Sequence, residues 1–357
     1  MVGGAEVQQS ILARLLARAG YRVSMISLDF GQPQTVTLDG VTVHKTYKPD
    51  AGIPGFRFLH PRITGMWRAM REVDADIYYQ RSSAMLTAVV AEFCRHYGRG
   101  SIYAGASDID FIPGRQQIRF RRDRWLFERG LARVDRLVVQ NENQRKSCLV
   151  HYGRQSILIP SCYEPPADAR PGQGDAVLWV GTVHPYKRPE LFLELARRLP
   201  HRRFVMVGGP GVDDEARQSY FESVRAQAAR LPNVEMTGFL PLERVEPYFD
   251  RARVHVNCSD YEGVPNTFLQ AWARGVPAVA WVDIAARHQG EPVYRVVSEV
   301  DEAADEIERL FGNGPYHRRA SERSRDYFAA THSPREVLAR YGALLGELAG
   351  ASRAAAA

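Results

Sequence analysis

Residues 254 to 280 read Val-His-Val-Asn-Cys-Ser-Asp-Tyr-Glu-Gly-Val-Pro-Asn-Thr-Phe-Leu-Gln-Ala-Trp-Ala-Arg-Gly-Val-Pro-Ala-Val-Ala, and they bring a carboxylate, Glu262, to the start of a helix. Val254 to Asn257 has the apolar run of a buried strand, and Ala278 to Trp281 is a second one, so the stretch is a βαβ unit. Pro265 suits the first helical position, because its missing N–H is one the helix could not use. The N–H groups of Asn266 and Thr267 then face outward at the positive helix end, where an anion is favoured. Helical spacing puts Asn266, Gln270 and Arg274 on one polar face, expected to be open to a ligand, and Phe268, Leu269 and Trp272 on the packed face. A cation of the kind that would neutralise such an anion, Lys187, follows another strand at 176 to 180. On local grounds alone a carboxylate placed like Glu262 is more often a helix cap or surface residue than a catalytic group, and a lone Lys placed like Lys187 is usually solvated.

These residues carry a resemblance to the glycosyl transferases group 1 family of retaining nucleotide-sugar glycosyltransferases, whose mark across this turn and helix is Glu-x7-Glu. Glu262 matches the first acid, and Gln270 stands at the second. The family's loop after the earlier strand is Gly-Arg, a few residues, then Lys. Here Gly181-Thr182-Val-His-Pro-Tyr-Lys187-Arg188 matches at Gly181 and Lys187, Thr182 takes the place of the Arg, and Arg188 is the candidate for the second charge. Gly238-Phe239-Leu240-Pro241 resembles the family's base-binding loop. In the first half, Gly3-Gly4 corresponds to the loop whose backbone approaches the donor diphosphate. Asp108 matches the Asp of a His-Asp pair beside acceptor and donor sugar, with Ser107 in place of the His.

The resemblance implies transfer of a sugar from a nucleotide-sugar donor to an acceptor hydroxyl, with retention and without an essential metal or further cofactor. Glu262, Lys187 and Asp108 would be catalytic. Gly3, Gly4, Gly181, Thr182, Arg188, Gly238, Phe239, Leu240, Gly263, Val264, Pro265, Asn266, Thr267 and Gln270 would hold the donor. A glycan or a lipid-linked intermediate is the implied acceptor. Asp108-Ile-Asp110 also reads as a metal-holding Asp-x-Asp or as a strand-end helix cap. Arg81, at the end of a strand, is either a surface arginine or a contact for an anionic acceptor group.

The elements that must position these residues alternate strand and helix twice along the 357 residues. The expected fold is therefore α/β, two doubly wound parallel-sheet (Rossmann-like) domains facing a cleft, which is the GT-B type of the resembled family. The expected boundaries are 1 to 160 for the acceptor side, a Pro- and Gly-rich linker at 161 to 174, and 175 to 333 for the nucleotide-sugar side. A closing helix at 334 to 348 returns to the first domain, as it does in the family. Only Met1 and Val2 precede the Gly3-Gly4 pair, so the first strand of that family's sheet is missing and a start upstream is expected.

Composition bounds the rest. With 45% hydrophobic and 25% charged residues and no apolar run of about 20, the expectation is a cytoplasmic globular protein. The four cysteines are scattered, without metal-ligand spacing. A formal charge of +6 concentrates at Arg115, Arg119, Arg121, Arg122 and Arg124, interleaved with Phe120, Trp125 and Phe127. That segment is either a solvated helix or a surface for an anionic membrane at the inner face, and no nucleic-acid motif accompanies it. A Rossmann oxidoreductase is excluded by the lack of Gly-x-Gly-x-x-Gly after a strand. A non-catalytic nucleotide-sugar-binding scaffold of the same fold is the alternative function.

Overall fold

The computed structural model describes residues 4–53, 55–172, 174–211 and 215–356. Two compact units form: one from the described residues up to Cys162 together with those from Pro334 onward, the other from Tyr163–Ser333.

In the first unit, α1 (Gly4–Arg18) turns Ile11, Leu12 and Leu15 inward. It leads to β1 (Val23–Ser27), β2 (Thr35–Leu38) and β3 (Val41–Lys45), which form a sheet of order β1-β3-β2. The β2–β3 hairpin is closed by Asp39-Gly40 with φ of 50° and 79°. That is the left-handed pair a two-residue hairpin turn requires. There follow α2 (Thr64–Val73), β4 (Ile77–Arg81), α3 (Leu86–Tyr97), β5 (Gly100–Ala104), α4 (Arg121–Leu131), β6 (Arg136–Val139), α5 (Glu142–Tyr152) and β7 (Ile157–Leu158). Their strands make a second, parallel sheet of order β4-β5-β6-β7. The strands of this half thus divide between two sheets, and β1 and β4 each pair on one side only among the described residues.

The second unit is built on one six-stranded parallel sheet. Its elements are β8 (Ala176–Val180), α6 (Pro189–Arg198), β9 (Arg203–Val207), α7 (Glu215–Ala228), β10 (Val234–Gly238), α8 (Leu242–Asp250), β11 (Ala252–Asn257), α9 (Asn266–Ala273) and β12 (Ala278–Ala280). A short hairpin, β13 (Arg287–His288) and β14 (Glu291–Pro292), precedes β15 (Arg295–Val296), and α10 (Val300–Gly312) and α11 (Gly314–Thr331) complete it. The sheet order β10-β9-β8-β11-β12-β15 shows the chain winding outward from β8, then returning to β11 and winding the other way. The switch point between β8 and β11 is where such a sheet leaves a crevice at its carboxyl edge. Val177, Leu178, Val254 and Val256 are fully buried, as strands covered on both faces require.

The last helix, α12 (Pro334–Ala356), belongs to the first unit. Its Val337, Tyr341, Leu344 and Leu348 share a buried cluster with Ile11, Leu12 and Leu15 of α1 and with Ile102, Ala104 and Val138 of the parallel sheet.

Candidate functional site

Two loops leave the carboxyl ends of β8 and β11 at the switch point, and they are fastened to each other. The Lys187 ammonium pairs with Glu262, whose Oε1 also accepts from Ser259 Oγ at 2.7 Å. Arg188 Nη1 pairs with Asp260 at 3.2 Å, and the Asp260 N–H donates to the Tyr186 carbonyl at 2.9 Å. The rings of Tyr186 and Tyr261 stack at 4.9 Å and 12°. Burial works against the charge on Lys187, yet the Glu262 carboxylate outweighs it and holds the ammonium's pKa above its ordinary value. Arg188 stands at φ 45°, between the turn 185–187 and the first residue of α6, Pro189.

The neighbouring carboxyl ends are held close. Gly208 N donates to Gly238 O, Val183 N to Gly209 O, and Gly181 N to Val207 O, so the loops after β8, β9 and β10 are tied side by side. A Cβ on Gly208 would lie 1.7 Å from the Gly181 carbonyl oxygen, which only glycine avoids. This brings Gly181, Thr182, Gly238, Phe239 and Leu240 to one edge. Phe239 presents an exposed ring there, while Leu240 packs on the core.

On α9 the outcome departs from the helical-spacing argument in two ways. Pro265 is the N-cap, with φ −60° and ψ 132°, and the helix starts at Asn266. Pro fixes φ but not ψ, so it serves either position. Gly263, Val264 and Pro265 are buried in the turn. The polar face expected to be open is largely covered: Gln270 is 4% and Arg274 3% exposed. Arg274 donates from Nη2 to Glu246 at 2.8 Å, from Nε to Asp250 at 2.6 Å and from Nη1 to the Tyr163 hydroxyl at 2.9 Å. Gln270 Nε2 donates to Glu246 Oε1 at 2.9 Å. A carboxylate only accepts, so this bond fixes the amide with its oxygen as the outward end.

Thr267 is oriented from beneath. His255 is buried and donates from Nδ1 to the Leu178 carbonyl at 3.1 Å, which makes Nε2 an acceptor for the Thr267 hydroxyl at 3.1 Å. Burial lowers its pKa to about 4, so the ring is neutral. The one Thr267 hydroxyl proton is therefore committed, and its main-chain N–H is the donor left for an anion. The first-turn N–H groups of a helix point out of its N-terminal end, and that of Thr267 lies there.

In the first unit, Asp108 follows β5 and Oδ1 accepts from Asn141 Nδ2 at 3.1 Å and Gln144 Nε2 at 3.0 Å. Asp110 is buried and caps its own turn, accepting from the N–H groups of Ala106 and Ser107 at 2.7 and 3.1 Å. The two carboxylates of Asp-x-Asp are thus employed separately, and no His, Cys, Asp and Glu cluster suited to a metal occurs among the described residues. Gly4 is the first residue of α1, and Gly3 lies outside the described residues. Arg81 is buried rather than a surface residue.

Sequence reasoning passed over Ser259, Asp260, Tyr186, Tyr261, His255, Glu246 and Tyr163. A signal exists for some: Tyr186-Lys187 and Tyr261-Glu262 place an aromatic immediately before each charge. Glu246 and Asp250 are spaced i, i+4 on α8, matching Gln270 and Arg274 on α9. Tyr163 sits in the stretch read as linker and carries no such mark.

Residues 2–163 match a family described as Glycosyltransferase Family 4, and residues 174–313 one described as Glycosyl transferases group 1. The chain is 27% identical over 291 residues to a GDP-mannose-dependent alpha-mannosyltransferase of Mycolicibacterium smegmatis, covering 74% of this chain and 72% of that protein. It is 26% identical over 249 residues to a D-inositol 3-phosphate glycosyltransferase of a Mycobacterium species, covering 66% of this chain and 55% of that one. Among solved structures, sucrose-phosphate synthase of Thermosynechococcus elongatus shares the fold with a TM-score of 0.78 at 20% identity, over 98% of this chain and 94% of that one. HepE of Anabaena, solved with UDP and glucose, does so at 0.70 and 13%, over 97% and 96%.

Proposed function

From a chain that belongs to the GT-B glycosyltransferases, we propose a retaining enzyme that moves a sugar from a nucleotide-sugar to an acceptor hydroxyl without an essential metal. The observation that carries this reading is the pairing of Lys187 with Glu262 at the switch point, beside the positive end of α9. Departure of the nucleoside diphosphate concentrates negative charge on its terminal oxygen. Lys187 and the first-turn N–H groups of α9 are arranged to receive it, and such fixed donors cost no reorganisation during the reaction. When the ammonium turns to the diphosphate, Glu262 is released to accept hydroxyl protons of the donor sugar. Among the described residues of these two loops, Glu262 and Asp260 are each paired with a cation, and a front-face displacement fits. The sugar–phosphate bond breaks, the acceptor oxygen bonds to the same face, and the acceptor proton passes to the leaving phosphate oxygen.

Gly181, Thr182 and Arg188 are proposed around the diphosphate, as are the backbones of Gly3 and Gly4. Gly238, Phe239 and Leu240 would meet the base, and Gln270 the ribose through its amide oxygen. Gly263 to Pro265 would line the sugar. Asp108 is assigned to acceptor or sugar contact. The acceptor is a glycan or lipid-linked intermediate. The GDP-mannose-dependent relative and the HepE structure solved with UDP and glucose make GDP- and UDP-sugars the first donors to test.

The test is nucleoside diphosphate release from pooled GDP- and UDP-sugars with glycan and lipid acceptors, the product's anomeric configuration read by NMR, with and without EDTA. An α-linked product from an α-linked donor, formed equally in EDTA, is expected. Absence of release from every pair would favour the scaffold reading, and inversion or loss in EDTA would overturn the mechanism.

We propose in addition a membrane role for the first unit, motivated by its basic segment. Phe120 and Trp125 are more than half exposed, and the Arg122 guanidinium lies 3.4 Å over the Phe58 ring, which brings the exposed Phe56 and Leu59 loop beside α4. Aromatic side chains amid arginines suit an anionic lipid surface. Sedimentation with anionic vesicles should fall steeply with salt, and equal binding to neutral vesicles would refute this role.

A further inference from the structure

Arg81 ends β4, and its strand register sets it opposite Ala104 on β5, at the carboxyl edge from which the Asp108 turn departs. It is 9% exposed. Its Nη2 donates to Ser161 Oγ at 3.1 Å and its Nη1 to the Tyr79 hydroxyl at 3.4 Å, while Nε is buried without any partner. Among the described residues no carboxylate pairs with it. Asp110, on the same edge, is committed to its own backbone.

The groups that touch Arg81 are neutral and already directed. Ser161 Oγ donates to Gln140 Oε1 at 2.6 Å, and Gln140 Nε2 donates to the Gly105 carbonyl at 2.7 Å. The hydroxyl proton of Ser161 therefore points away from the guanidinium. The next residue, Cys162, exchanges two hydrogen bonds with Gln8 of α1 at 2.7 and 2.8 Å, so the near turns of α1 are pinned beside the same segment. Burial works against the charge on Arg81; the Tyr79 and Tyr341 hydroxyls and the Asp110 carboxylate offset it, but no carboxylate pairs directly with the guanidinium among the described residues. Three of its five N–H groups have no protein acceptor, and their planar arrangement matches an oxyanion.

We propose that Arg81 is the anion-recognition residue of an acceptor site, binding a phosphate or carboxylate group carried by the acceptor. The word acceptor rests on the transfer reading above; the oxyanion chemistry does not. Lys187 serves a different anion from a different unit.

The experiment is thermal unfolding of the full chain, at constant ionic strength, with millimolar inorganic phosphate and separately with acetate. For the wild type, Tm should rise with phosphate if the acceptor group is a phosphate and with acetate if it is a carboxylate. Arg81→Met should abolish that rise while leaving the ligand-free Tm equal or higher, Arg81→Lys should keep part of it, and Lys187→Met should retain it. An equal rise in Arg81→Met, no rise in the wild type with either ion, or a ligand-free Tm lowered in Arg81→Met would assign the residue to the fold instead. In transfer assays, Arg81→Met should raise KM for a phosphorylated or carboxylated acceptor roughly 10- to 100-fold, the scale of losing a hydrogen bond to a charged group. Release of nucleoside diphosphate only with uncharged acceptors would overturn this inference and leave glycosyl transfer standing. Arg81-dependent anion binding without release from any donor would do the reverse.

Discussion

Two buried arginines, one in each unit, meet opposite surroundings. Arg274 is enclosed by Glu246, Asp250 and the Tyr163 hydroxyl, with every charge answered inside the protein. Arg81 is touched by hydroxyls only, and the carboxylate that acts on it from a distance, Asp110, is engaged by its own backbone. The same split runs through the loops: Lys187 and Arg188 face Glu262 and Asp260, whereas Asp108 faces the amides of Asn141 and Gln144. At these places the second unit sets carboxylates directly against its cations, and the first sets neutral groups against its buried arginine.

The sharpest way to break this contrast is a single substitution at both places. Arg274→Met strands two carboxylates, and removing one member of a buried ionic network should cost about 3–5 kcal/mol in denaturant unfolding. If it proved as mild as Arg81→Met is expected to be, the distinction would be empty.

Next in size is the neutral imidazole under α9. His255 binds a proton near pH 6.5 in the unfolded chain but only near about 4 in the native site. The unfolded state thus holds the extra proton between those values, so stability falls as pH drops through this window, by roughly 3 kcal/mol in full. His255→Gln should flatten that part of a stability–pH curve, and an unchanged slope would move the titration elsewhere.

The Lys187–Glu262 exchange is probed by Glu262→Gln. Its kcat should drop roughly 10²-fold or more, the scale of a lost transition-state contact. Nucleoside diphosphate should bind no more weakly by calorimetry, because Lys187 loses its competitor. Weaker binding with kcat intact would reverse the two roles.

Smallest are the effects at Gln270. Removing the amide in Gln270→Ala should raise donor KM about 10-fold or less with little change in kcat. Gln270→Glu would set two carboxylates within the 2.9 Å now spanned by Gln270 and Glu246, and should destabilise by about 1–3 kcal/mol. Adding Glu246→Gln should restore it; failure of that pair would separate Glu246 from the orientation of residue 270.

How far the sequence could be read depended on how local the cause was. The βαβ unit around Glu262 and the strand ends were visible because hydrophobic period and turn residues are local. The hairpin at Asp39-Gly40 was equally legible and was passed over, since Thr35 to Leu38 is short and mostly exposed. The face of α9 was misread for another reason. A helical wheel shows that Gln270 and Arg274 are together, but not that a carboxylate pair on α8 covers them. Arg81 shows the limit most plainly, because its environment is assembled from residues 79, 140 and 161, and no window along the chain contains them.

The first unit is closed by residues from both ends of the chain: α1 and α12 meet in one cluster, with Leu15 and Leu344 inside it. During synthesis, residues 163–333 emerge with every strand of their sheet present and can settle as a nearly self-sufficient body. The earlier-made half must wait for Pro334 onward before its own core is sealed. Order of translation and order of completion are then opposite, and until α12 is made the apolar faces of α1 and the parallel sheet are left to water or to a chaperone.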